Sequence, residues 1–305
     1  MKHFIAYNIF IFFLSLNSYT QQIPNYTQYA YNMQILNPAS VGSRADLSIS
    51  ILSRQQWVGV EGAPTSQTFS INGRIKGGLG IGATVVNDKI GFSETNNFNL
   101  DLSYTILTSE YRRLAFGLKG GITLFNNNLA NAITPDNDKY ASTNGSYPNI
   151  GFGAFYYSQT FFVGLSAPYL FETPQFYTSE ASEKNMLSRN LNYFLSAGVL
   201  FELNDQVKFK PSTMVNYTSG VPISVDLNAN FLYKKNIEVG VSYRHSNTIS
   251  ALFAVIIKEK FRIGYSYDHK FANYGENLSS HEIILHIDFD FNKRSRWLRP
   301  NSCYF

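Results

Sequence analysis

The chain has 305 residues, of which 15% are charged and 16% are aromatic, and its formal net charge is +4. Its single cysteine, Cys303, excludes an intrachain disulfide framework. Beyond the amino-terminal apolar run, no stretch approaches about 18 apolar residues, which excludes a helical membrane protein. The mild positive charge lacks the basic face with interleaved aromatics that nucleic-acid binding needs, so we expect no nucleic-acid partner.

The amino terminus has the order of charged, apolar and small residues that is typical of a secretory signal. Lys2 and His3 precede an apolar run over residues 4–16, and the small residues Ser18 and Thr20 follow it. We therefore predict a signal peptide over residues 1–20, with cleavage before Gln21. No cysteine lies at that point, which argues against a lipoprotein.

The rest of the chain alternates apolar and polar residues with a period of two. From Asn97 to Ile106, Phe, Leu, Leu, Tyr and Ile fall on one face and polar residues on the other. Four more stretches repeat this pattern: residues 67–75, 224–233, 261–268 and 282–291. Alternation of this quality predicts β-strands with one apolar face.

About fourteen such strands follow one another, each roughly as long as the nine to eleven residues that cross a bilayer at a tilt. Every second link is a short turn, whereas those between are mostly longer. A soluble sandwich would also alternate, but aromatic residues dominate the apolar faces and loops near residues 126–146 and 167–189 are long. We predict an all-β, antiparallel transmembrane β-barrel with short periplasmic turns and longer extracellular loops. The expected strand starts are Asp46, Gln67, Leu79, Asn97, Leu114, Tyr147, Phe161, Asn190, Gln206, Ile223, Asn236, Thr248, Lys260 and Ser280.

This pattern divides the mature chain into three parts. Residues 21–45, uncharged until Arg44, are expected to fold into the barrel lumen or to cap its periplasmic mouth. Residues 46–291 form the barrel, and residues 292–305 form a basic periplasmic tail. An even strand number then implies that both chain ends lie in the periplasm.

The inward face should carry charges of both signs, which argues against a strongly ion-selective pore. We expect a salt-bridged interior in preference to an open channel. The predicted inward charges are Arg74, Asp101, Asp226, Glu238, Arg244, Arg262, Glu282, His286, Asp288 and Asp290.

Candidate partner-binding residues lie on both sides of the membrane. In the first outer loop Trp57 lies near Gly62 and Pro64, although Trp57 alone would also suit the outer aromatic girdle. A later loop carries Tyr169, Phe171 and Phe176, which could bind a partner or fold over the barrel mouth. The tail offers cations and an aromatic for an acidic periplasmic protein or anionic lipid, or it is simply solvated. Those tail residues are Arg294, Arg296, Trp297 and Arg299.

Signals for catalysis are weak. Asp268-His269 and His281-Glu282 are expected on one outer loop, but no positioned nucleophile accompanies them. No Cys/His or carboxylate cluster has metal-ligand spacing, so we expect no enzyme activity, cofactor or metal.

Particular motifs along the chain resemble the PorP/SprF family of type IX secretion system outer-membrane proteins. In chain order they are Tyr26, Gln28, Tyr29, Asn32, Asn37-Pro38-Ala39, Gly42, Arg54, Gln56-Trp57-Val58-Gly59, Gly62-Ala63-Pro64, Gln67-Thr68, Gly80, Gly82, Val86-Asn87-Asp88-Lys89-Ile90-Gly91, Gly264-Tyr265-Ser266-Tyr267-Asp268 and Ser280-His281-Glu282-Ile283. The carboxyl terminus departs from the family, since this chain ends Asn301-Ser302-Cys303-Tyr304-Phe305 where relatives commonly carry Ser-Pro-Arg and two aromatics.

The resemblance implies a non-catalytic outer-membrane barrel of the Bacteroidota that works in protein secretion. Its expected partners are a secreted adhesin of gliding motility or the adhesin's C-terminal sorting domain, periplasmic ring or motor components, and outer-membrane lipid. The alternative function is an outer-membrane pore or transport barrel for small solutes.

Overall fold

The computed structural model describes residues 26–128, 143–171, 191–218, 221–271 and 278–291. These residues form one antiparallel sheet in which strands pair in chain order, except that β8 and β9 do not pair with each other. The strands are β1 (Leu47–Gln55), β2 (Thr65–Arg74), β3 (Leu79–Ile90), β4 (Ser93–Ser109), β5 (Arg112–Asn127), β6 (Thr143–Tyr157), β7 (Phe161–Ala167), β8 (Asn192–Val199), β9 (Phe201–Glu202), β10 (Val207–Thr218), β11 (Ser224–Tyr233), β12 (Ile237–Arg244), β13 (Thr248–Ile257), β14 (Phe261–Lys270) and β15 (Leu278–Phe289).

The sheet closes on itself because β15 pairs with β1 and β10 pairs with β11. Strands β8 and β9 both pair with β10 and are separated only by Leu200, so they act as one interrupted strand. The result is a closed barrel of fourteen strands, which confirms the predicted fold class. Within the described ranges, no helix is long and apolar enough to cross a membrane.

Side-chain alternation follows the predicted phase. On β4, Leu100 and Leu102 are 65% and 57% exposed, whereas Asp101 between them is fully buried. Outward Leu, Ile, Phe and Tyr residues repeat this on the other strands, as a lipid-facing surface requires. Of the predicted inward charges, eight are buried inside the barrel: Asp101, Asp226, Glu238, Arg244, Arg262, Glu282, His286 and Asp288.

Tight turns join the strands at the end that we assign to the periplasm. Two of these links have three residues, 234–236 and 258–260, and their first two residues, Lys234-Lys235 and Lys258-Glu259, all have positive φ between 47° and 60°. At the opposite end two links are also short: Gly91-Phe92 and residues 245–247. The prediction that the extracellular links are mostly longer allows these two exceptions.

Residues 26–45, which we call the lumen segment, lie inside the barrel. The lumen segment contains three single-turn 3-10 helices: Tyr29–Tyr31, Met33–Ile35 and Pro38–Ser40. Nearly all of its residues are buried, and its apolar side chains join inward aromatics of the wall in one cluster. The barrel is thus filled by the polypeptide that precedes its first strand.

Glycines on the inward face let the lumen segment approach the wall. A Cβ at Gly117 would overlap the backbone of Pro38 and Ala39, and one at Gly80 would lie 2.6 Å from the Val41 carbonyl oxygen. A Cβ at Gly82 would lie 2.4 Å from the side-chain nitrogen of Gln34. At these positions the wall therefore has no room for even one added methyl group beside the segment.

Gly117→Ala should destabilise the barrel by about 1–3 kcal/mol, because the added methyl group overpacks the contact with the lumen segment. The matched control is Gly120→Ala on the outward face of the same strand, where a Cβ meets nothing within 4 Å. Urea unfolding in detergent or vesicles measures both. Equal stability of the two variants would contradict a tight segment–wall contact.

Candidate functional site

At the extracellular end of the lumen, one arginine holds two carboxylates. Arg54, near the end of β1, forms ion pairs with Asp268 at 2.6 Å and with Glu282 at 3.0 Å. The backbone N–H groups of Thr27 and Gln28 donate to Glu282 at 3.0 and 2.7 Å, and the Thr27 hydroxyl donates to Asp268. This cluster therefore binds the first described residues of the lumen segment to the wall.

Near the periplasmic ends of β12 and β14, an aromatic ring of the segment lies among three wall charges. Lys210 and Arg262 pair with Glu238 at 3.0 and 3.5 Å. The Arg262 guanidinium carbon lies 4.1 Å from the centre of the Tyr31 ring, which is a cation–π distance. The Tyr31 ring thus packs on Arg262, whose charge is paired with Glu238 on the wall.

A second pair lies on the opposite wall. Lys119 on β5 is 3.2 Å from Asp101 on β4, and both side chains are fully buried. Gln34 of the lumen segment donates from its amide to Asp101 at 2.9 Å, and its backbone oxygen accepts from Lys119 at 3.3 Å. Asn72 donates to the Gln34 side-chain oxygen at 2.9 Å. The nitrogen and the oxygen of the Gln34 side-chain amide therefore both form hydrogen bonds with the wall.

The Asn37-Pro38-Ala39 motif fits the segment to the wall. The Asn37 side-chain oxygen accepts from the Ala39 N–H at 2.9 Å and caps the short helix that Pro38 begins. Its amide donates to the Ala154 carbonyl on β6 at 3.1 Å. The motif thus combines a helix cap, a fixed φ and a stretch of backbone that packs against Gly117.

At the periplasmic end, Arg44 pairs with Asp288 at 3.3 Å. Asp288 also contacts His286, whose other ring nitrogen lies next to the Ser50 hydroxyl. A serine, a histidine and an aspartate in this order resemble a hydrolase triad, but the strand period explains them. His286 and Asp288 are two residues apart on one face, and Ser50 is the cross-strand partner of His286. All three are buried.

The wall charges pair mainly with one another, and the lumen segment contributes one charged side chain, Arg44, to these pairs. The sequence-based prediction of inward charges misses Arg54, Lys119, Lys210 and Asp268. The alternation places Lys119 inward once it is continued through the glycines of β5, and this signal could have identified it. The contacts of the lumen segment could not be predicted, because they join residues far apart in sequence.

The lumen segment runs downward from the extracellular end. Its first residues bind Arg54 and Glu282 near the extracellular ends of β1 and β15. Its last residues bind Arg74 at the periplasmic end of β2, and Asp288. The described chain therefore begins at the extracellular mouth, whereas both chain ends, which we predict in the periplasm, lie outside the described residues.

The first outer loop, residues 56–64, is held at both sides. Its Val58 N–H donates to Ser279 of β15 at 2.9 Å, and the Gly62 carbonyl accepts from the Gly91 N–H at 2.9 Å. Trp57 is half-buried with a positive φ of 47°, and Pro64 is buried. The exposed apolar residues of this rim are instead Val58, Val60, Ile90 and Phe92, which we call the outer patch.

The other sequence candidates have different surroundings. Tyr169 and Phe171 are half-buried after β7. The remaining candidates lie outside the described residues: Phe176, Arg294, Arg296, Trp297 and Arg299.

The proposed acid/base neighbours are not on a loop. Asp268-His269 and His281-Glu282 lie within β14 and β15, where alternate side chains face opposite sides of the wall. Asp268 and Glu282 point inward to Arg54, whereas His281 contacts the Tyr265 hydroxyl on the outer surface. Among the described residues, no group of three or more His, Cys, Asp and Glu side chains is arranged to hold a metal ion.

A family model described as "Type IX secretion system membrane protein PorP/SprF" matches residues 18–287. The chain belongs to the PorP/SprF family. This PorP/SprF protein is accordingly an outer-membrane β-barrel and a component of the type IX secretion system, which works with other components of that system. A search of curated proteins gives no match.

Solved structures share the barrel fold of this PorP/SprF protein. The Ralstonia pickettii toluene transporter TbuX matches with a TM-score of 0.50 and 10% identity, over 85% of this chain and 94% of that chain. The monoaromatic hydrocarbon channel CymD matches with a TM-score of 0.52 and 14% identity, over 88% of this chain and 95% of that chain. At such identities the likeness is one of fold.

Replacing Arg54 with Met should destabilise this PorP/SprF barrel by about 3–5 kcal/mol, because two buried carboxylates lose their cation. The control is Lys235→Met, which removes an exposed ion pair with Glu259 and should cost about 0–1 kcal/mol. The midpoint of urea unfolding in vesicles measures both. A loss for Arg54→Met no larger than for the control would show that the outer cluster does not stabilise the barrel.

Proposed function

We propose that this barrel is a non-catalytic anchor that receives or holds a secreted surface protein on its extracellular face. The observation that best supports this proposal is that the protein's own chain fills the lumen. A barrel whose interior is occupied by its own chain from one mouth to the other offers surfaces for binding and no wide path for solutes. Family membership makes a protein exported by the type IX system the natural partner.

The packing of the lumen supports this proposal over a transport function. A small cavity of about 10 Å³ lies between Tyr29 of the lumen segment and Asn228 of the wall. That volume holds about one water molecule. Wall charges of both signs are paired along the wall, between strands that are neighbours or have one strand between them, and these pairs leave no string of like charges along which an ion would move.

The outer patch supports binding on the extracellular side. Val58, Val60, Ile90 and Phe92 are each 44–51% exposed; Ile90 is the last residue of β3, and the other three lie in links between strands. The Gly62–Gly91 hydrogen bond ties the loop that carries the valines to the β3–β4 turn. A rigid apolar rim of this kind suits the apolar centre of a protein interface. We propose it as the contact for a secreted adhesin of gliding motility or its C-terminal sorting domain.

We propose a second, periplasmic contact for the basic tail. Residues 292–305 carry Arg294, Arg296, Trp297 and Arg299, a composition suited to an acidic periplasmic ring or motor component or to anionic lipid. Charge-neutral glutamine replacements of the three arginines should weaken co-purification of periplasmic components. They should leave recovery of the surface protein unchanged if the two contacts are separate.

Affinity purification of the tagged barrel from gently solubilised outer membranes should recover a secreted protein, identified by mass spectrometry. Val58→Asp with Val60→Asp should abolish that recovery, because two carboxylates would enter an apolar contact. The matched control is Ile223→Asp, an equally exposed apolar residue beside another outer loop. Retention by Val58→Asp/Val60→Asp, or equal loss in the Ile223 variant, would contradict docking on the outer patch.

In planar bilayers, the purified barrel should give no steady ionic current, because the lumen segment fills it. Deleting residues 27–43 should produce open-channel currents, since most wall charges keep their partners on the wall. The deletion variant's folding is checked by its mobility shift on unheated gels. A wild-type protein that conducts as strongly as the deletion variant would favour the alternative, an outer-membrane pore for small solutes.

A further inference from the structure

Two tight turns at one end of the barrel have the same backbone geometry. The Asn236 N–H donates to the Tyr233 carbonyl at 3.0 Å, and the Lys260 N–H donates to the Ile257 carbonyl at 3.1 Å. Positive φ at both central residues makes each a type I′ β-turn. The central residues are Lys234-Lys235 in one turn and Lys258-Glu259 in the other.

These central positions strain the backbone of long-chain residues. Type I′ turns favour Asn, Asp and Gly, because these residues adopt positive φ more readily than residues with long side chains. Asn-Gly would therefore close the same two hairpins with less strain. The reason for lysine at these positions thus lies in its side chain and not in the turn.

Link lengths place these turns in the periplasm. No link between strands at their end of the barrel is longer than four residues, whereas the link between β7 and β8 at the opposite end spans residues 168–191. Short periplasmic turns and longer outer loops are the rule in outer-membrane barrels. The two turns therefore lie at the level of the periplasmic leaflet.

The turns bring four exposed lysines together, which we call the lysine cluster: Lys234, Lys235, Lys258 and Lys260. The turns lie side by side because β12 pairs with β13, and the Asn236 side-chain amide donates to the Ile256 carbonyl at 3.1 Å. Lys235 pairs with Glu259 of the other turn at 3.5 Å, and both side chains are more than half exposed. Among the described residues, this is the only ion pair that the lysine cluster makes.

The lysine cluster borders the lipid-facing wall. Tyr233 and Ile257, just before the two turns, face outward and are 43% and 46% exposed. The Lys234 ammonium lies 5.2 Å from the centre of the Tyr233 ring, so this side chain folds back towards the lipid side. Further along β12 and β13, Val239 and Phe253 continue the apolar surface. Cations next to an apolar wall suit a phospholipid, whose phosphate lies at the membrane edge and whose acyl chains lie along the strands.

We propose that the lysine cluster binds the headgroup phosphate of an anionic phospholipid in the periplasmic leaflet of the outer membrane. Four lysines and one glutamate leave an excess of positive charge, which favours an anionic headgroup over a zwitterionic one. An acidic periplasmic protein would approach the same lysines from below the membrane, but the contact of Lys234 with lipid-facing Tyr233 favours the lipid. This lipid site goes beyond the proposed anchoring function and does not depend on it.

Asn-Gly turns test the lipid site without weakening the hairpins. Lys234→Asn, Lys235→Gly, Lys258→Asn and Glu259→Gly together remove three lysines and one glutamate and suit the type I′ geometry. The purified full-length protein is titrated in detergent with dioleoylphosphatidylglycerol or dioleoylphosphatidylcholine, and native mass spectrometry counts the lipids retained. The wild type should retain the anionic lipid preferentially. The Asn-Gly variant should bind that lipid about tenfold or more weakly.

The matched control removes the same net charge from another part of the periplasmic end. Lys76→Asn with Arg112→Asn removes two exposed cations, and the Asn-Gly variant also loses a net charge of two. All variants keep residues 292–305, so the basic tail does not account for a difference between them. Retention of the anionic lipid by the control and its loss by the Asn-Gly variant support the proposal. Equal binding of phosphatidylglycerol by all three proteins overturns it.

A protein in place of the lipid would give a different result. The wild type would then show no preference for the anionic lipid, and the Asn-Gly variant would lose a co-purifying periplasmic protein; this outcome also overturns the proposal. Urea unfolding checks that the Asn-Gly variant is folded. Its midpoint should be close to that of the wild type, because relief of strain offsets the added freedom of glycine. None of these readouts depends on recovery of a secreted partner.

Discussion

Fourteen strands enclose more space than their own inward side chains fill, and that space lies where no bulk water screens charge. The structure meets this constraint with a segment of chain and a set of ion pairs. Arg54, Lys119, Lys210 and Arg244 each pair with a carboxylate on the wall, and the lumen segment supplies amides, hydroxyls and aromatic rings around them. Most other features, including the inward glycines, follow from fitting that segment to that wall.

The wall and the lumen segment contribute different groups to the interior, and this difference bears on function. Because most wall charges pair with other wall charges, the lumen segment supplies mainly neutral groups to them, and Arg44 is the one charged side chain that residues 26–45 contribute. Several residues on which the family resemblance rests belong to this fit: Gln28 contacts Glu282, Asn32 contacts Ser70, and Asn37 caps its helix and contacts Ala154. The motifs by which the chain is recognised are thus largely those that fill the barrel, whereas the outer patch is the surface left for partners.

Much of the fold follows from local pattern. A period of two, aromatic outer faces and tight turns are enough to predict the strands within a few residues and the phase of Asp101, Glu238 and Glu282. The path of residues 26–45 is not predictable in this way, because their contacts span up to 255 positions along the chain and depend on three-dimensional closure. The exposure of Val58 and Val60 rather than Trp57 is likewise set by how the loop binds β15. Sequence composition finds such a loop but does not fix which side chains face out.

The continuity of the lumen segment with β1 has a mechanical consequence. A pull applied outward at its extracellular end would load the contacts one after another, beginning with Thr27 on Glu282 and ending with Arg44 on Asp288. Contacts peeled in sequence yield at lower force than contacts sheared together, so the segment would unravel progressively from the top. The covalent link to Leu47 then stops it, and tension passes into the β1–β15 hydrogen-bond ladder. The barrel would behave as a tether with a soft extension followed by a stiff limit.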